Sequence, residues 1–254
     1  MPFPRRPLLA LAAAILVLAS QGRQPQAFAA GRALAQGQTA GMSAQAGDLL
    51  NRARRSRGAP AAWARVHSLA VEEARKYVDS PEPASSCTYI FVPPDRFRWI
   101  NGGTVHTIIG ENYTQNKDQP DAILQMARRN VFTTFVTKEL VYLLVWPRAF
   151  PLHVEARESK AINGVAVDVL AFSGRDGFHL DLSLEKGSGL PIAFSSSDGR
   201  EGTLLDYRQV EGVRFPFRSE GQTSGASTGP FPILETVSHL TVNATSALQG
   251  LDVR

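Results

Sequence analysis

One cysteine in 254 residues excludes an intramolecular disulfide, so a fold working in an oxidising compartment must be held by its core. Cys87 stands among Thr88, Tyr89 and Ile90, which reads as a buried strand residue rather than a reactive thiol. No apolar run reaches the roughly 20 residues that a membrane-spanning helix needs. HExxH, P-loop and dinucleotide fingerprints are all missing. Surplus charge is also small. Of 27 basic and 23 acidic residues, Arg5, Arg6 and Arg23 fall in a segment read below as removed, leaving 24 against 23. A near-neutral chain without a basic stripe argues against a nucleic-acid partner. The cluster Arg52, Arg54, Arg55 and Arg57 reads as the solvated face of a short helix.

What is present begins with an export signal. Arg5 and Arg6 precede the apolar run Leu8 to Ala19, and Ala27-Phe28-Ala29 supplies small residues for a cut before Ala30. With no cysteine near the cut there is no site for acylation there, so a soluble periplasmic product is expected. The expected organisation is a signal peptide at 1–29, a flexible leader rich in Gly, Ala and Gln at 30–46, and one domain at 47–254. Asp48 is placed to cap a short helix running to Arg57, with Leu49, Leu50 and Ala53 on one side and Gly58 and Pro60 after it.

Beyond Pro60 the pattern is mainly β. Asn101-Gly102, Asn163-Gly164, Asp176-Gly177 and Asp198-Gly199 suit tight turns with positive φ, with Glu211-Gly212 a weaker fifth. Between them residues alternate: Phe97 and Trp99; Val165, Val167 and Val169; Phe178, Leu180, Leu182 and Leu184; Val213, Phe215 and Phe217. Residues 65–79 carry both helical and strand signals and are assigned to a strand. The sum is a curved antiparallel sheet of about ten strands with one apolar face.

One segment departs from this. From Pro120 and Asp121 to about Trp146 there is neither glycine nor an internal proline, and the pattern is helical. Ile123, Ala127, Phe132 and Phe135 oppose Gln125, Arg128 and Arg129 in its first half. Leu140 to Trp146 is apolar on nearly every side, which requires enclosure. A long helix covering part of a concave apolar sheet would leave a cavity suited to a small ligand; a helix and sheet that fill each other as a dry core is the alternative.

Several stretches together resemble the bacterial lipoprotein-carrier superfamily, the LolA/LolB-like outer-membrane lipoprotein-sorting fold. They are Pro94-Asp95-Arg96-Phe97-Arg98, Ile109-Gly110-Glu111-Asn112-Tyr113, Asn163 to Leu170, Gly189-Leu190-Pro191, Asp206 to Phe217 and a closing strand near Val242-Asn243. The likeness covers about residues 60–245. It implies an open half-barrel lidded by helices that takes up acyl chains. The expected function is therefore a non-enzymatic periplasmic carrier or binder of lipid or an acylated protein. Such a carrier would act as a monomer, contact membrane proteins transiently and need no cofactor. Its lining residues would be Phe97, Trp99, Val167, Val169, Leu180, Leu182, Phe215 and Phe217, with Phe132 and Phe135 from the lid. The alternative is an interaction module on a filled barrel, using an edge or the loop Gly221 to Pro232.

Catalytic patterns are weak. Gly225-Ala226-Ser227-Thr228-Gly229 has the nucleophile-elbow spacing without the strand-to-helix setting the elbow needs. His179 with Asp181 and His153 with Glu155 each share a strand face, but the first pair opposes Leu180 and Leu182 and reads as solvated.

Overall fold

The computed structural model describes residues 42–224 and 230–244. The segments expected as export signal and most of the leader, and Ser227, lie outside the described residues. The chain opens with α1 (Ala44–Arg57), then a single turn α2 (Pro60–Trp63). A first meander follows: β1 (Leu69–Tyr77), β2 (Ser85–Val92), β3 (Arg96–Asn101), β4 (Thr104–Ile109) and β5 (Asn112–Gln115). The long helix α3 (Asp121–Leu143) leads to a second: β6 (His153–Ile162), β7 (Val165–Ser173), β8 (His179–Glu185), β9 (Pro191–Ser196), β10 (Arg200–Val210), β11 (Val213–Ser224) and β12 (Pro230–Val242). Residues 65–79 thus supply a strand, as expected.

The two meanders form one antiparallel sheet because β12 returns to pair with β1. The order is β5-β4-β3-β2-β1-β12-β11-β10-β9-β8-β7-β6, open between β5 and β6. Twelve strands replace the expected ten or so. Strands such as β5, four residues long, are too short to show alternation.

This topology explains the helix. α3 connects one edge strand to the other and must cross the sheet, and its 23 residues reach about 34 Å. Laid flat, twelve strands would span roughly 50 Å, so a curled sheet lets one helix and its two linkers bridge it. α1 lies over β6, β7 and β11 beside it.

Local chemistry sets the ends. Asn163 and Gly164 both take positive φ in the β6–β7 hairpin, whereas the β3–β4 turn uses Gly102 and Gly103 one residue later than expected. Gly202 and Gly221 face each other across β10 and β11. A Cβ on Gly221 would sit 1.8 Å from the Glu201 carbonyl oxygen, so only glycine allows that approach. α1 starts one turn before Asp48 because Ser43 is the cap: its Oγ accepts from the Ala46 amide at 3.2 Å.

The arginine cluster is corrected most. Only Arg55 is exposed, while Arg57 is fully buried. Its guanidinium donates to the carbonyls of Val141 at 2.8 Å, Tyr142 at 2.5 Å and Arg214 at 2.7 Å. Arg54 donates to the Leu144 carbonyl at 2.6 Å, and Arg52 pairs with Asp168. α3 ends at Leu143, short of Trp146, where Leu144 turns left-handed. The two arginines satisfy the carbonyls this ending exposes and complement the helix dipole. Burial pulls Arg57 down to about 10, which leaves it charged at neutral pH.

Candidate functional site

Strand parity decides what faces the interior. On β1, Leu69 and Val71 point inward with Glu73 and Arg75; across the ladder on β12, Glu235 is the direct partner of Arg75. A buried ionic cluster therefore occupies the middle of the concave face. Lys138 of α3 reaches down to it, its Nζ 2.8 Å from Glu73 Oε2 and 3.0 Å from Glu235 Oε2. Arg75 donates to Glu235 Oε1 at 2.8 Å and to the Tyr89 hydroxyl at 3.2 Å. Tyr142 donates to Glu73 at 3.2 Å, and Ser219 to Glu235 at 3.1 Å. Two carboxylates facing two cations make the cluster neutral overall.

Its carboxyls respond oppositely. For Glu235, burial works to raise the pKa, but Lys138, Arg75 and Arg200 outweigh it and hold the group well below the carboxylate range. For Glu73, burial and the nearby Glu235 charge prevail and push it up. Glu139, one residue along α3, is fully buried and neither carboxyl oxygen has a hydrogen-bond partner among the described residues. Burial, with Asp95 nearby, raises it well above the usual range. Cys87 lies buried 4.0 Å from Glu73, and burial raises its thiol too.

The expected lining residues fall into different surroundings. Phe97 stacks on Phe135 of α3, ring centroids 4.7 Å apart, in an aromatic ladder with Tyr89, Phe91, Trp99 and His106. Leu180 and Leu182 are buried inside. Phe215 lies under Arg57 and Trp63, and Phe217 under Arg208. Val167 and Val169 are corrected: they pair with Glu185 and Ser183 on the face opposite Leu180 and Leu182. Leu170 and Phe172 are the residues β7 turns inward, with Asp168 beside them under Arg52. Both parities of β7 are apolar, so alternation alone could not choose, and the Arg52–Asp168 pair fixes the face.

The interior is tightly filled. Under the C-terminal half of α3 the remaining space is about 20 Å³, lined in part by Lys138, Glu73 and Thr137, room for one water molecule. A larger space opens at the other end of the helix. It is a groove of about 380 Å³ between α3, the segment after it and the β7–β8 loop, lined by Arg128, Arg129, Phe132, Phe150 and Arg175 among others. Here α3 is loosely held. No residue of 121–130 is buried, and Ile123 and Met126 are 45% and 53% exposed. The expected packing of Ile123 is therefore absent.

On the outer face, His179 Nε2 lies 3.0 Å from Asp181, and Arg157 reaches both. Among the described residues no group of three or more His, Cys, Asp or Glu could hold a metal ion, and no helix is long and apolar enough to cross a membrane.

Glu73 and Glu235 were legible only as charges at apolar parity positions, and Lys138-Glu139 only as a break in an apolar run. The groove arginines carried no signal, because Arg175 lies far beyond α3 in sequence.

An open antiparallel half-barrel crossed by a lid helix defines the fold class. No protein-family model matches the chain, and no curated protein matches it. Among solved structures it is similar to a LolA superfamily protein from Nitrosomonas europaea: 14% identity, TM-score 0.51, over 78% of this chain and 94% of that one. A putative outer membrane lipoprotein-sorting protein domain from Vibrio parahaemolyticus is similar at 14% identity and TM-score 0.49, over 81% and 98%. The chain has a LolA-like fold. At this identity the likeness is one of fold.

Proposed function

We propose that the protein is an exported, periplasmic carrier or binder of lipid or an acylated ligand, working without catalysis, with α3 as its lid. The observation that supports this reading is the groove at the loose end of α3. It is floored by Phe132 and Phe150, and Phe132 lies one turn of helix from Phe135 on Phe97. Its 380 Å³ falls in the range of small-ligand sites. An acyl chain entering there gains about 0.8 kcal/mol per buried methylene. From Phe132 the chain would run toward Phe135, which lies over Phe97.

The filled interior favours a second reading, an interaction module that uses an edge strand or the β11–β12 loop. Native mass spectrometry of protein taken from its native periplasm, with a fluorescent fatty-acid probe added to delipidated protein, separates the two. The carrier reading expects co-purifying lipid and saturable probe uptake. Protein that is empty as isolated and takes up no probe supports the module instead.

A further inference from the structure

The groove carries charge as well as apolar surface, and the charge is arranged. Arg128 and Arg175 lie over the same ring, their guanidinium carbons 5.7 and 5.8 Å from the Phe132 centroid, and Arg175 is also 5.0 Å from that of Phe150. One residue of the β4–β5 turn ties both down. Arg128 donates to the Glu111 carbonyl at 3.0 Å, and Arg175 to the Glu111 carboxylate at 3.2 Å. Each has N–H groups left over. Arg129 lines the same groove, is exposed, and has no partner among the described residues. Asp176 lines it as well. Setting Asp176 and Glu111 against the three arginines leaves one net positive charge.

Two guanidinium groups on one aromatic ring repel each other, and an anion between them offsets that repulsion while accepting charge-assisted hydrogen bonds. Phe132 and Phe150 also line the groove and offer apolar surface to a hydrocarbon chain. A ligand satisfying both has an anionic head joined to a hydrocarbon chain. We infer that this groove binds the anionic headgroup, phosphate or carboxylate, of an acylated amphiphile whose chain runs toward Phe135. The inference rests on the carrier reading and adds selectivity for the head. Glu111 acts as a positioning residue that holds two of the arginines over the ring.

The test compares oleoyl lysophosphatidylglycerol, which is anionic, with oleoyl lysophosphatidylcholine, which is zwitterionic and carries the same chain. Both are titrated into the delipidated mature protein. The anionic lipid is expected to bind about tenfold more tightly. That preference should shrink toward parity in R129E and R175Q, and also as salt rises. Millimolar inorganic phosphate should leave the anionic lipid bound. Equal affinities in the wild type, or a preference that survives in both variants, overturn the headgroup site and leave the carrier reading standing. Displacement by phosphate alone overturns it in favour of a free anion. If neither lipid binds, the carrier reading fails and the headgroup site with it.

Discussion

The two halves of α3 share one helix and have almost nothing else in common. From Val131 to Leu143 nearly every side chain is buried, Lys138 is locked between two carboxylates, and Arg54 and Arg57 hold the carboxyl end. From Asp121 to Asn130 no side chain is buried, and among the described residues one side-chain hydrogen bond, from Arg128 to the Glu111 carbonyl, ties that half to the sheet. Helix stability in proteins comes mostly from packing of this kind. The inner half is therefore a fixed part of the core and the outer half a flap over the groove. A lid built this way opens at one end only.

The largest test removes the inner lock. Lys138→Ala leaves Glu73 and Glu235 facing each other with only Arg75 and the Arg200 charge to compensate. It should cost about 3–5 kcal/mol in urea unfolding. A loss under 1 kcal/mol would show that the cluster does not anchor the helix.

Glu139 predicts the opposite sign. Glu139→Leu removes an unpartnered buried acid and should stabilise the protein by about 1–3 kcal/mol. Its raised pKa also fixes a pH dependence. Glu139 contributes stability below the unfolded-state value of about 4.3, and that contribution is lost as the pH rises through its folded value. The advantage of Glu139→Leu should thus widen as the pH rises above about 4. Glu235, held low, runs the other way and loses its contribution as the pH falls. Unfolding curves at several pH values for wild type, Glu139→Leu and Glu235→Gln check the two signs.

The smallest effect belongs to the outer half. Ile123→Gln and Met126→Gln should change stability by no more than about 0.5 kcal/mol. A larger loss would mean these side chains pack on something, and the contrast between the halves would weaken.

The sequence showed the sheet and the helix because their periods are long and clean. Leu180, Leu182 and Leu184 alternate without exception, and α3 has no breaker over its length. Faces were harder. Val167 and Val169 went to the wrong side because β7 is apolar at both parities, and only a residue from α1, Arg52, resolves the choice. The buried polar chemistry was hardest. Glu73, Lys138 and Glu235 come from β1, the lid and β12, and nothing local marks three charges as partners across the barrel. Arg57 looked solvated because the helix end whose carbonyls need its donors lies 84 residues away.

Hydrogen exchange along α3, with and without oleoyl lysophosphatidylglycerol, tests the central claim most directly. The account predicts fast exchange over residues 121–130, slow exchange over 131–143, and a change on adding lipid centred on the first segment, on the groove residues Phe132 and Thr133, and on Phe150 and Arg175. Uniform protection along the helix that lipid leaves untouched would contradict it.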